Sequence, residues 1–163
     1  MEEAGHWSDF FVAEVGASAA LAGLVVVAIS INLQRILAVT VLPGRAAETL
    51  FMLVCAMLIC SAGLIPGQPP GLYGIETLAL GAALCTVSIT TQLRTLTLMK
   101  GAPVHWWAMR VVVSLIVIVP LLAGGALLCS GRAEGMYWIA GDVLALLAAG
   151  VFNSWVLLIE ILR

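Results

Sequence analysis

Apolar residues in this chain neither alternate nor keep to one helical stripe; they run on for roughly 20 residues at a time, five times over. A hydrocarbon layer about 30 Å thick is crossed by a helix of about that length, at 1.5 Å rise per residue. The runs predict transmembrane spans at about residues 10–33, 47–65, 72–93, 107–129 and 137–162. The first is broken only by Glu14 and ends in Asn32, Gln34 and Arg35. Leu42-Pro43-Gly44-Arg45 precedes the second, and Pro66-Gly67-Gln68-Pro69-Pro70-Gly71 separates it from the third. No connection is long enough for a soluble domain. The pattern therefore predicts an all-α integral membrane protein, one helical membrane domain over residues 1–163.

Charge then orients the spans. Of seven Lys and Arg residues, Arg35, Arg45, Arg94, Lys100, Arg110 and Arg163 fall on one side of the five spans and Arg132 alone on the other. Basic residues concentrate in cytoplasmic loops, so the N-terminus is expected outside and the C-terminus in the cytoplasm. Trp7, Phe10 and Phe11 open the first span, Tyr73 the third, Trp106 and Trp107 the fourth, and Tyr137 and Trp138 the fifth, as interfacial aromatics do. The acidic start Met1-Glu2-Glu3 is not that of a cleavable signal peptide. A net charge of -2 without a basic cluster excludes nucleic acid as a partner and leaves membrane lipid.

Chemistry of the usual kinds is missing. Cys55, Cys60, Cys85 and Cys129 lie in predicted spans and form no Cys-x-x-Cys; a Cys60–Cys129 disulfide stays open. His6 and His105 fall on opposite sides of the membrane, so they cannot share a metal or haem. No phosphate-binding glycine loop, His-Glu-x-x-His or Gly-x-Ser-x-Gly occurs. The expectation is no enzyme, no cofactor and no metal.

Polar residues inside the spans do have a pattern. The three spans that run outside to inside each carry an acid near the outer end: Glu14, Glu76 and Asp142. At about 100° per residue, eighteen residues return to the same face. Glu14 shares its face with Asn32, Glu76 with Arg94, and Asp142 with Glu160, with Asn153 close to that last line. Polar groups in a span usually face the bundle interior or water. The expected pathway or ion-binding residues are thus Asp142, Asn153, Glu14, Glu76 and Asn32, with Asn153 too deep to reach headgroups. Arg45, Glu48, Arg94, Arg110 and Glu160 gather near the inner boundary and are expected to form structural ion pairs. Gly16, Ala20 and Gly23 make a small-residue face on the first span, suited to close helix association within the chain or with a second copy.

The segments Gly16-Ala17-Ser18-Ala19-Ala20-Leu21-Ala22-Gly23-Leu24, Ile29-Ser30-Ile31-Asn32-Leu33, 42–50 and Pro66-Gly67-Gln68 resemble a group of small uncharacterised bacterial polytopic inner-membrane proteins. The resemblance covers about the first half of the chain. It implies a multi-pass protein of the bacterial plasma membrane and no activity. From the residues, two functions are expected to compete. One is a small homo-oligomeric channel or permeation pathway for a small cation or proton. The other is a non-conducting accessory protein that binds partner helices in the membrane.

Overall fold

The computed structural model describes residues 2–98 and 104–162, with side chains over 7–97 and 108–159. Every element among the described residues is helical: α1 (Glu2–Ile31), α2 (Leu33–Ala38), α3 (Leu42–Gly63), α4 (Pro70–Leu98), α5 (Val104–Cys129) and α6 (Gly135–Leu162). Five of them, all but α2, are long and apolar enough to cross a membrane.

The ends of these helices follow from local chemistry. Leu42-Pro43-Gly44-Arg45, expected to flank the second span, is instead the first turn of α3, with Pro43 in its opening positions. Proline suits a helix start because its φ is already helical and its missing N–H has no partner there anyway. Pro70 opens α4 in the same way. Between α3 and α4 the chain reverses at Pro66-Gly67, where Gly67 has φ 70° and the Gln68 N–H donates to the Ile65 carbonyl at 3.4 Å. After α5, Gly131 takes φ 79°, and the N–H groups of Gly131 and Arg132 donate to the carbonyls of Leu128 and Leu127. That crossed pair satisfies the last carbonyls of α5 and turns the chain directly into α6. We call this the glycine-turn end, and the opposite one the α2 end. Arg35, Arg45, Arg94 and Arg110 stand at the α2 end by their positions in these helices, and Arg132 at the other.

Helices α3, α4, α5 and α6 close a four-helix bundle in that cyclic order, and α1 lies outside it against α3. Close approach depends on glycine. A Cβ on Gly74 would meet the Gly125 carbonyl at 2.8 Å, and one on Gly135 the Gly124 carbonyl at 2.5 Å. The adjacent pair Gly124-Gly125 thus lets α5 approach α6 with one residue and α4 with the next. Gly16 and Gly23, singled out in the sequence for association, would meet nothing within 4 Å. With Ala20 they lie exposed on α1, away from the bundle.

Two packed layers close the ends. At the glycine-turn end Trp7, Phe10, Phe11, Tyr73 and Tyr137 form an aromatic cluster, Trp7 and Tyr137 edge to face at 5.0 Å. Phe11 is buried there, its ring over Gly63. At the α2 end, Ile36 of α2 packs with Leu42, Ala46 and Leu157.

Candidate functional site

Asp142 sits on α6, seven residues after Gly135 and therefore about 10 Å along the helix. The sequence placed it near the outer end of its span. The structure places it inside the four-helix bundle, at 0% exposure. Ile139, Val143 and Leu146, its neighbours along α6, are buried core residues. Neither carboxyl oxygen has a hydrogen-bond partner among the described residues. The Cys55 thiol of α3 is close enough to it to interact electrostatically. Buried polar groups are nearly always hydrogen-bonded, and this one stands out against that rule. Ser88 Oγ of α4 is the other buried side-chain oxygen without a partner among the described residues.

The other two acids are accounted for differently. Glu76 accepts a hydrogen bond from Gln68 Nε2 at 2.6 Å, across the α3–α4 turn. Glu14 is half-buried on α1 and lies toward Cys60. Cys55 and Cys60 stand about 140° apart around α3, so Glu14 and Asp142 flank that helix and do not face each other. Tyr73 Oη of α4 donates to the Ile59 carbonyl of α3 at 3.2 Å. All four cysteines are free.

Eleven residues beyond Asp142 and on the same face of α6, Asn153 lines a cavity of about 200 Å³ between α3, α5 and α6. Arg45, Glu48 and Thr49 of α3 and Arg110 and Ser114 of α5 supply its other polar groups. Arg110 Nη2 and Glu48 Oε2 form an ion pair at 2.9 Å, its side chains 18% and 8% exposed. Arg110 Nη1 also reaches Thr95 Oγ1 at 3.5 Å. One layer deeper, Gln92 Nε2 donates to Ser114 Oγ at 2.7 Å and ties α4 to α5. Asn153 Nδ2 has Met52 Sδ at 3.6 Å, and a thioether is a weak acceptor.

Of the residues expected to form ion pairs, Glu48 and Arg110 come together and Arg45 joins them at the cavity. Arg94 is exposed on α4, and the side chain of Glu160 lies outside the described residues. Asn32 turns back on its own helix, Nδ2 donating to the Ala28 carbonyl at 2.9 Å, and marks the break between α1 and α2. Among the described residues no three His, Cys, Asp or Glu side chains gather to hold a metal ion.

The sequence reading missed three things. It read Trp7, Phe11 and Tyr137 as separate interfacial rings, when they pack on one another. It did not foresee a cavity, because no local pattern encodes one. It also gave Gly74 and Gly135 no role, although small residues four or more apart in a span are the available signal. The chain matches no family model, no curated protein and no solved structure.

Proposed function

We propose that this chain is a multi-pass protein of the bacterial plasma membrane that carries a small cation, in the first instance a proton, past Asp142. The observation that supports this most is the carboxyl group itself, wholly buried with neither oxygen satisfied. An ionised carboxylate without a partner in an apolar interior is very costly, and a bound cation or proton offsets that cost. Ionisable groups inside membrane spans are rare and concentrate in ion and proton pathways.

The surroundings favour a proton over a metal ion. Along the α6 face, Asp142 leads to Asn153 and a cavity lined by two guanidiniums and one carboxylate. A metal cation takes several oxygen ligands, and Asp142 is a single carboxyl among apolar core residues. A proton instead needs hydroxyl, thiol, amide and carboxyl groups in series. Cys55 lies beside Asp142, and Ser114 and Gln92 lie nearer the α2 end. With the basic α2 end in the cytoplasm, the aromatic cluster stands between Asp142 and the outside. Because one chain's own helices enclose Asp142, the site does not depend on a second copy. Homo-oligomerisation along the open Gly16–Gly23 face of α1 remains part of the proposal as assembly.

Reconstitution tests it. Liposomes holding the wild-type protein should dissipate an imposed pH gradient faster than empty ones, and Asp142→Asn should remove most of the excess with the protein still folded. No excess flux of protons, sodium or potassium in the wild type, or equal flux in Asp142→Asn, would overturn the reading. A second reading, a non-conducting protein that binds partner helices, is favoured by the same α1 face: its small residues are open and meet nothing in the chain.

A further inference from the structure

We propose that the cavity between α3, α5 and α6 binds the ring of a neutral, lipid-soluble quinone. This proposal is independent of flux through Asp142. The first argument is where the cavity opens. Met109 of α5 and Phe152 of α6 line it and are 62% and 50% exposed. Nearer the glycine-turn end, α5 and α6 are held together at Gly124 and Gly135. The cavity is therefore a side opening between two helices that are long and apolar enough to cross a membrane. A ligand entering there comes from hydrocarbon, where a charge is very costly, so it is neutral.

The second argument is size and lining. An engineered apolar cavity of about 150 Å³ takes up benzene. This one, at about 200 Å³, has room for a single six-membered ring with small substituents. Its apolar walls carry the thioethers of Met52 and Met109 and the ring of Phe152, beside Val113 and Val156. Thioether sulfur and aromatic side chains both make favourable contacts with a flat unsaturated ring. A saturated acyl chain has no ring for them to meet.

Hydrogen-bond donors form the third argument. Among the described residues, Asn153 Nδ2 has only the Met52 sulfur within reach. Ser114 Oγ is buried and accepts from Gln92. Its own O–H has no acceptor among the described residues, so the cavity holds one donor from α6 and one from α5. Glu48, the carboxylate on the lining, is held by Arg110 at 2.9 Å. A ring carbonyl brings the acceptor that these donors lack, and a hydrocarbon ring does not.

The test uses the intact protein in neutral detergent micelles, equilibrated with duroquinone or with durene. Durene has the same ring and the same methyl groups without the carbonyl oxygens. Full methylation keeps duroquinone from alkylating the free cysteines. The measurement is the probe held by protein-containing micelles in excess of empty ones. Wild type should hold duroquinone about tenfold better than durene, the worth of two modest hydrogen bonds. Asn153→Leu and Ser114→Ala should each cut that preference about threefold, with durene retention near wild type. Val156→Phe, or Val113→Phe from the α5 side, fills the cavity and should abolish the retention of both probes. Equal retention of the two probes by the wild type would overturn the proposal. So would a preference that survives in both donor variants, or retention that survives in both filled variants. Displacement of duroquinone by added phosphatidylcholine would also overturn it, because the site would then be one for a lipid ester.

Discussion

Replacing Asp142 with valine should make the protein more stable, and the size of the gain follows from the site. Both carboxyl oxygens are buried and neither has a partner among the described residues. An unsatisfied buried polar group costs about 1–3 kcal/mol on the evidence of mutations in proteins. Valine is close to aspartate in volume, so it removes that cost without leaving a cavity. Val143 and Leu146 beside it are fully buried, and a side chain branched at Cβ must fit among them; crowding of that kind costs about 1 kcal/mol at its mild end. The net gain should be up to about 2 kcal/mol, a small difference between terms of similar size. Asp142→Asn is the matched control. Its amide keeps the shape and the unsatisfied polar atoms, so its stability should stay near wild type. Equilibrium unfolding in mixed micelles, titrated with sodium dodecyl sulfate and followed by far-ultraviolet circular dichroism, measures the difference. A loss of more than about 1 kcal/mol in Asp142→Val would refute the reasoning, because a loss of that size belongs to a polar group that was making a good hydrogen bond. A stabilised Asp142→Val that no longer conducts would be a group kept for activity against stability.

Four further outcomes are expected. Glu48→Gln and Arg110→Gln should each destabilise by about 2–4 kcal/mol, below the upper range for buried pairs because the cavity admits some water; their double variant should lose clearly less than the sum, and additive losses in the same unfolding assay would deny the ion pair its role. Gly135→Ala pushes a methyl into the Gly124 carbonyl and should cost about 1–3 kcal/mol, whereas Gly141→Ala, with open space around it, should gain about 0.5–1 kcal/mol. Gly16→Leu or Gly23→Leu should dissociate an oligomer built on the α1 face while the monomer still inserts, so unchanged size by light scattering would place the seam elsewhere. In a background without native cysteines, Ser130→Cys should react with an impermeant thiol reagent outside intact cells and Gln34→Cys should not; the reverse pattern would invert the orientation.

Sequence alone determined the elements of this protein. Hydropathy and length are local properties, so five helices long and apolar enough to cross a membrane could be read from runs of apolar residues, with Pro66-Gly67 breaking the second from the third. Even the errors were local: Leu42-Pro43 opens α3 where a flanking segment was expected. The clustering of basic residues at one end was equally legible, because it needs only the order of spans. Tertiary structure decided which faces meet. In a soluble helix a polar face marks the outside, but in helices apolar enough to cross a membrane the outward face is apolar as well, because lipid and protein interior make nearly the same demands on a side chain. Periodicity put Asp142 and Asn153 on one face and could not say where that face points. Packing turned it into the bundle and left the carboxyl without a partner. It also brought Arg110 to Glu48 from 62 residues away and set Gly74 against Gly125. It left Gly16 and Gly23, whose sequence pattern looks just as suited to contact, bare on the surface of α1.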